Sequence, residues 1–60
     1  MRNKKEDVFV LVDGINVNAT YFGSMELNDA VEAMINNGFT KDETWAMKAY
    51  EAAREKLGEQ

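Results

Sequence analysis

The chain contains 60 residues, carries a net charge of −4 and has neither cysteine nor histidine. A chain this short buries only about 60% of the surface that its unfolded form exposes, so it forms one domain at most and is marginally stable alone. The missing residue types exclude disulfides and ordinary zinc sites, and association is therefore the remaining way in which the domain can gain stability.

The first six residues are predicted to form a flexible basic arm, because Arg2, Lys4 and Lys5 lie there and termini are often poorly ordered. From residue 6 onward, eleven acids outnumber four bases and give a net charge of −7. This acidic body disfavours direct nucleic-acid binding, since phosphate contacts need a cationic surface. The apolar run VFVLV is shorter than the roughly 7–15 residues of a secretory signal, and no run reaches the roughly 20 residues that span a bilayer. The sequence therefore predicts a cytoplasmic protein without a membrane partner.

Residues 7–60 are expected to form a single domain that begins with a β-hairpin. Val8–Val12 is a run of β-forming residues, and Ile15–Phe22 alternates between apolar and polar side chains. Asp13 and Gly14 separate the two runs. This pair is typical of a two-residue type I′ turn, in which both central residues have positive φ.

A helix is predicted next from the periodicity of its apolar residues. They recur at i, i+3, i+4, i+7 and i+8, which is one helix face. These residues are Leu27, Ala30, Val31, Met34 and Ile35. Either Ser24 or Asn28 is a candidate N-cap, and the sequence Asn-Asn-Gly predicts the end of the helix, with Gly38 in the left-handed conformation.

A second helix is predicted from Thr40 and Glu43, which have the spacing of a capping box. In that motif the threonine hydroxyl accepts a hydrogen bond from the glutamate N–H, and the glutamate side chain returns to the threonine N–H. Gly58 is predicted to end this helix.

The apolar stripe of the second helix has small side chains at its centre, namely Ala46, Ala49 and Ala53. They allow another element to approach closely. Trp45 flanks the stripe and is expected to pack in the core. Met47 lies off the stripe on the polar side and is a candidate surface residue.

Together these elements predict an α+β fold of the order ββαα, with both helices packed on one face of the hairpin. If the turn contains only two residues, the pairs on that inner face are Val12 with Ile15, Val10 with Val17, and Val8 with Ala19. Successive residues of a strand point to opposite faces, so this face is wholly apolar. A longer loop would shift the register and exchange the two faces.

The outer face of the predicted hairpin carries Phe9, Leu11, Asn16, Asn18, Thr20 and Phe22. Full burial of Phe9 or Leu11 contributes roughly 1.5–3 kcal/mol each. One interpretation is that they are ordinary scattered apolar residues, or that a helix covers Phe9. The other is that two hairpins pair edge to edge into a four-stranded antiparallel sheet. The residues predicted at a protein interface are Phe9, Leu11, Asn18, Phe22 and Met47.

Catalytic motifs are missing from the sequence. Without histidine and cysteine, the commonest general bases and nucleophile pairs are absent, and Ser24, the only serine, has no obvious base. A calcium loop that starts at Asp13 fails, because Ile15 and Val17 occupy its third and fifth positions. The sequence therefore predicts a protein that is not an enzyme and binds no cofactor.

The function that these patterns favour is that of a small protein-binding module. It would form a homodimer and occupy a surface of a larger protein. In size and composition, though not in any motif, it is similar to bacteriophage-encoded inhibitors of host enzymes and defence systems. The alternatives are an acidic DNA mimic that inhibits a nucleic-acid-binding protein, a nucleic-acid-binding regulator that uses the basic arm, and a small structural or assembly protein.

Overall fold

The computed structural model describes residues 7–59, so the basic arm predicted at residues 1–6 lies outside the described residues. In this part of the chain the elements are β1 (Phe9–Val12), β2 (Ile15–Asn18), α1 (Ala19–Gly23), α2 (Leu27–Asn36) and α3 (Glu43–Gly58). An antiparallel hairpin followed by helices confirms the predicted α+β class. The predicted order ββαα lacked α1, and the observed order is ββααα. Of the two predicted helices, only α3 lies directly on the hairpin; α2 lies against α3 and α1, so the predicted packing of both helices on the hairpin is wrong for α2.

The hairpin has the turn and the register that Asp13 and Gly14 predict. Their φ angles are 53° and 81°, both positive as a type I′ turn requires. The aligned pairs are Val12 with Ile15, Leu11 with Asn16, Val10 with Val17, and Phe9 with Asn18. Because side chains alternate between faces, this register directs Val12 and Val17 into the core, where both are buried.

The second strand ends at Asn18, so the predicted strand through Phe22 is wrong. Asn18 is the N-cap of α1, because its side-chain oxygen accepts a hydrogen bond from the N–H of Tyr21 at 3.0 Å. Asparagine is among the strongest N-cap residues, and this bond starts a helix where alternation alone predicted more strand. The Thr20 hydroxyl accepts a hydrogen bond from the N–H of Val8 at 2.8 Å, which ties α1 to the base of the hairpin.

The start of α2 also differs from the prediction. Its N-cap is Glu26, whose side chain makes no capping hydrogen bond, so neither Ser24 nor Asn28 has the predicted role. The Ser24 hydroxyl instead donates to the carbonyl oxygen of Thr20 at 2.6 Å. This serine therefore completes the end of α1 rather than the start of α2.

The end of α2 is as predicted, with Gly38 at a φ of 81°. The N–H of Gly38 donates to the carbonyl of Ile35, and the N–H of Phe39 donates to the carbonyl of Met34. These two bonds form a Schellman motif, which requires a left-handed residue and therefore favours glycine. The motif brings Phe39 back towards the core.

The predicted Thr40–Glu43 capping box is wrong, because α3 has Asp42 as its N-cap. The Asp42 carboxylate accepts a hydrogen bond from the N–H of Thr44 at 2.9 Å. The Thr40 hydroxyl accepts from the N–H of Asp42 at 2.9 Å, a short turn that precedes the helix. The end of α3 at Gly58 agrees with the prediction.

The long helix α3 is the central element of the molecule, since it packs against both strands, α1 and α2. Its alanine stripe is fully buried, which confirms the predicted core positions Ala46, Ala49 and Ala53. The side chains that pack with this stripe in the core include Val12, Val17, Phe22 and Met34. Trp45 is partly buried and packs against the same core. The Tyr50 hydroxyl donates to the carbonyl of Met25 at 2.6 Å, which fastens the α1–α2 connection to α3.

Candidate functional site

The outer face of the hairpin keeps two large apolar side chains at the surface. Phe9 is 47% exposed and Leu11 is 69% exposed. They lie on β1 opposite Asn18 and Asn16 respectively. No element within residues 7–59 buries either of them, so the interpretation that a helix covers Phe9 does not hold.

The same two residues supply the free edge of β1. Within residues 7–59 the sheet has two strands, so each strand has one edge without a partner strand. Val12 and Ile15 flank a two-residue turn and form a hydrogen-bonded pair, and the next pair along the ladder does not. In every second residue of each strand, the backbone N–H and C=O groups therefore point away from the other strand. On β1 these outward N–H and C=O groups belong to Phe9 and Leu11. An unpaired row of this kind is a template for the addition of another strand.

Asn18, a predicted interface residue, is held by interactions within the chain. Its side-chain oxygen accepts the N–H of Tyr21, and its side-chain nitrogen donates to the Asp7 carboxylate at 3.2 Å. Both ends of the amide are therefore engaged. The geometry assigns Asn18 the structural role of starting α1.

Phe22 does not lie on the outer face, and this part of the prediction is wrong. The residue belongs to α1 rather than to β2, and the helix directs its ring into the core, where it is 3% exposed. The ring meets that of Phe39 edge to face, with centroids 5.4 Å apart. A side chain buried in this way is not accessible to a partner.

Met47 is 42% exposed, as its position off the alanine stripe predicts. It borders a groove of about 300 Å³ between α2 and α3. The lining residues are Leu27, Asn28, Val31, Glu32, Ile35, Glu43 and Met47. The sequence placed the apolar residues of this set on α2, namely Leu27, Val31 and Ile35, on one helix face, and nothing in it indicated that part of that face stays open.

A polar cluster at the hairpin turn was not predicted. The Asp13 carboxylate accepts a hydrogen bond from the Trp45 side-chain N–H at 2.8 Å and forms an ion pair with Lys48 at 3.1 Å. The hydrogen bond from Lys48, the one from Trp45 and the charge of Lys48 together lower the pKa of the Asp13 carboxyl. The cluster joins the turn to the first half of α3. The only signal for it is that Trp45 and Lys48 are three residues apart and thus share one side of the helix.

A shallow concavity on the surface of α3 carries charges of both signs. Its volume is about 660 Å³, and every lining residue belongs to α3, from Lys48 to Glu55. It is the surface of a single helix rather than a pocket between elements. Among residues 7–59, no group of three or more acidic side chains is arranged to hold a metal ion.

Within the same residues, every helix is too short or too polar to cross a membrane. Comparisons of the chain with protein-family models, with curated proteins and with solved structures found no match. The candidate binding surfaces are the edge and outer face of β1 and the groove between α2 and α3.

Proposed function

We propose that the protein is a non-enzymatic protein-binding module, which forms a cytoplasmic homodimer and occupies a surface of a larger protein. The proposal depends on the exposure of Phe9 and Leu11 beside an unpaired strand edge. Apolar side chains of this size are usually found in the core, and a two-stranded sheet is marginal without further strands. Association through this edge would supply the missing strands.

In the proposed dimer, the two β1 strands pair antiparallel across a two-fold axis at Val10. The outward backbone groups of Phe9 then bond to those of Leu11 of the partner subunit, and the symmetric pair completes the contact. The result is a four-stranded antiparallel sheet. The edge of β2 is less suitable, since it presents Asn16 and Asn18, and the Asn18 amide already caps α1.

Pairing at this edge leaves the outer face of the sheet open and enlarges it. The two copies of Phe9 and Leu11 become neighbours in one apolar patch, with the Asn16 side chains beside it. Aromatic and apolar groups surrounded by polar ones are typical of the centre of protein interfaces. In this proposal the dimer places the patch against a larger protein and blocks that protein's surface, as an inhibitor of an enzyme or a defence protein does.

Sedimentation velocity from micromolar to millimolar protein tests the dimer. We expect the mass to rise towards twice the 6.8 kDa of one chain. The double variant Phe9→Asp/Leu11→Asp should remain monomeric, whereas Met47→Asp, which places the same charge on another exposed apolar site, should dimerise like the wild type. A wild-type chain that stays monomeric at millimolar concentration contradicts the proposal.

The second half of the proposal is tested by capture of the larger protein from the native host. Wild type and Tyr21→Asp, which places the same charge on an exposed side chain of α1 outside both surfaces, should retain the same partner, and Leu11→Asp should lose it. If the partner is retained by Leu11→Asp, the outer face is not the binding surface.

The alternative of a DNA mimic is less well supported. The exposed acids of α3, such as Glu51 and Glu55, are interleaved with bases, and Lys56 pairs with Glu59 at 3.6 Å. A phosphate-like row of charges would need fewer cations along it. Binding that is abolished by salt and unaffected by Leu11→Asp would favour this alternative, because salt screens exposed charges more than apolar contacts.

A further inference from the structure

The groove between α2 and α3 is a second apolar surface, separate from the edge of β1. Leu27, Val31 and Ile35 follow one another at four-residue spacing along one side of α2, a row about 12 Å long. Met47 lies across from them on α3. Leu27 is 41% exposed and Met47 is 42% exposed, while Val31 and Ile35 are partly buried. The groove therefore has an apolar floor and accessible apolar margins.

The groove is open because α2 has few neighbours. Within residues 7–59, the backbone of α2 lies close to α3 and α1 but not to either strand. Its apolar face is wider than the contact with α3, since Ala30 and Met34 are fully buried and Leu27 is not. The uncovered part of that face forms one wall of the groove.

The charged residues that line the groove favour a cation. Glu32 and Glu43 line it from opposite helices, and its only other polar lining residue is the neutral Asn28. Between residues 26 and 43 the chain has five acids and one base, Lys41. An occupant that inserts apolar side chains between these carboxylates gains from carrying lysine or arginine at its edges.

We infer that this groove binds a cationic amphipathic helix of another protein. This inference rests on the proposed protein-binding function and adds a contact with a defined chemistry. A helix fits better than a strand, because a groove between two helices offers no free backbone edge to extend. The row on α2 matches the i and i+4 spacing at which an amphipathic helix presents its apolar anchors. Met47 suits such a site, since methionine adapts its shape to different side chains.

The probe is an amidated model helix of leucine and lysine, about 14 residues long, near the shortest length at which an isolated helix is stable in water. A peptide with glutamate in place of lysine is its matched control. Amide chemical shifts of the isotope-labelled full chain locate the site, and titration gives the affinity. We expect the shifts to cluster on the lining residues of the groove and the glutamate peptide not to bind.

Three variants separate the parts of the argument. Met47→Lys should weaken the affinity for the lysine peptide by at least about three- to tenfold. A loss of this size is expected when the peptide no longer covers the exposed 42% of an apolar side chain. Glu43→Gln should weaken it less and reduce its salt dependence. Leu11→Lys makes the same change as Met47→Lys on the other surface and should leave the affinity unchanged. A cooperative thermal transition shows that each variant is folded.

Several results would overturn the inference. Shifts scattered over all the acidic residues, equal losses in Met47→Lys and Leu11→Lys, or equal binding of the glutamate peptide would each mean that no site is formed in the groove. Sedimentation velocity distinguishes failure of this inference from failure of the proposed function. A dimer that forms normally while the peptide finds no groove contradicts this inference alone, and a monomer whose β1 edge and outer face bind nothing contradicts the proposed function.

Discussion

The most direct test of the proposed dimer is a pair of proline substitutions, Leu11→Pro and Asn16→Pro. The two residues face each other in the hairpin, and each has its backbone N–H on the outward edge of its strand, away from the ladder within the chain. Proline removes that N–H and is tolerated on edge strands for this reason. The two variants therefore share the same backbone restriction and differ in which edge they alter.

The expected magnitude follows from the proposed register. In a symmetric dimer joined at β1, Leu11→Pro removes two intermolecular hydrogen bonds, one from each protomer. At about 0.5–1.5 kcal/mol for each net bond, the loss is about 1–3 kcal/mol. This corresponds to a dimer dissociation constant that is about 5- to 150-fold higher. Asn16→Pro should leave the dimer dissociation constant within about twofold of the wild-type value, because the edge of β2 is not part of the proposed interface. Substitutions at surface sites outside an interaction typically change the free energy by less than about 0.5 kcal/mol.

The assay is sedimentation velocity over a concentration series, with far-ultraviolet circular dichroism and thermal melting to show that both variants remain folded. If Asn16→Pro weakens the dimer and Leu11→Pro does not, the strands pair through β2 and the assignment of the edge is wrong. If neither variant affects a dimer that does form, the two copies do not pair by adding strands. Either outcome refutes the register around Val10.

Three further predictions concern stability. Phe22→Ala should cost about 3–5 kcal/mol in the free energy of unfolding, because the ring is buried in the core; urea denaturation measures this, and a loss below 1 kcal/mol would contradict its core position. Asn18→Ala should cost about 1 kcal/mol through loss of the helix cap, whereas the exposed Asn16→Ala should change stability by less than about 0.5 kcal/mol; equal losses in urea would argue against capping. Lys48→Met should lower the melting temperature at neutral pH, because the folded chain holds the pKa of Asp13 below its ordinary value. A lowered pKa contributes stability above the unfolded value of about 3.9 and loses it as the pH falls through the folded value. The difference in melting temperature between wild type and variant should therefore shrink below about pH 4, and a difference that persists in strong acid would be inconsistent with the ion pair.

The parts of the fold that could be predicted from the sequence are those determined by neighbouring residues. Asp13 and Gly14 specify the turn, because few other pairs adopt two positive φ angles, and the turn then determines the register. Gly38 marks the end of α2 for the same stereochemical reason. The alanine stripe of α3 follows from helical periodicity alone.

The errors arose where two local patterns compete. Residues 19–22 alternate as a strand does, but Asn18 can cap a helix, and the hydrogen bond from Tyr21 decides between the two structures. Thr40 and Asp42 are both good N-caps, and the threonine hydroxyl is engaged by the N–H of Asp42. A rule that considers only the spacing of two residues, such as the capping box, does not take a competing hydrogen bond into account.

The candidate surfaces were predictable only in part. The exposure of Phe9 and Leu11 follows from the register of the hairpin. The groove beside Met47 does not, because it depends on which elements α2 packs against. The contacts of Asp13 with Trp45 and Lys48 join residues 32 and 35 positions apart, beyond the range of any local pattern.

The position of α3 has a consequence for how the chain folds during its synthesis. Every other element packs on α3, yet it is translated after all of them. At synthesis rates of about 5–20 residues per second, the stretch between the hairpin turn and α3 takes about 1–6 seconds to make. Throughout that interval the nascent hairpin lacks α3, the helix on which β1 mainly packs, and a two-stranded sheet alone is barely stable. Folding is therefore expected to wait for the last helix, and the newborn chain is most vulnerable to aggregation just before α3 emerges from the ribosome.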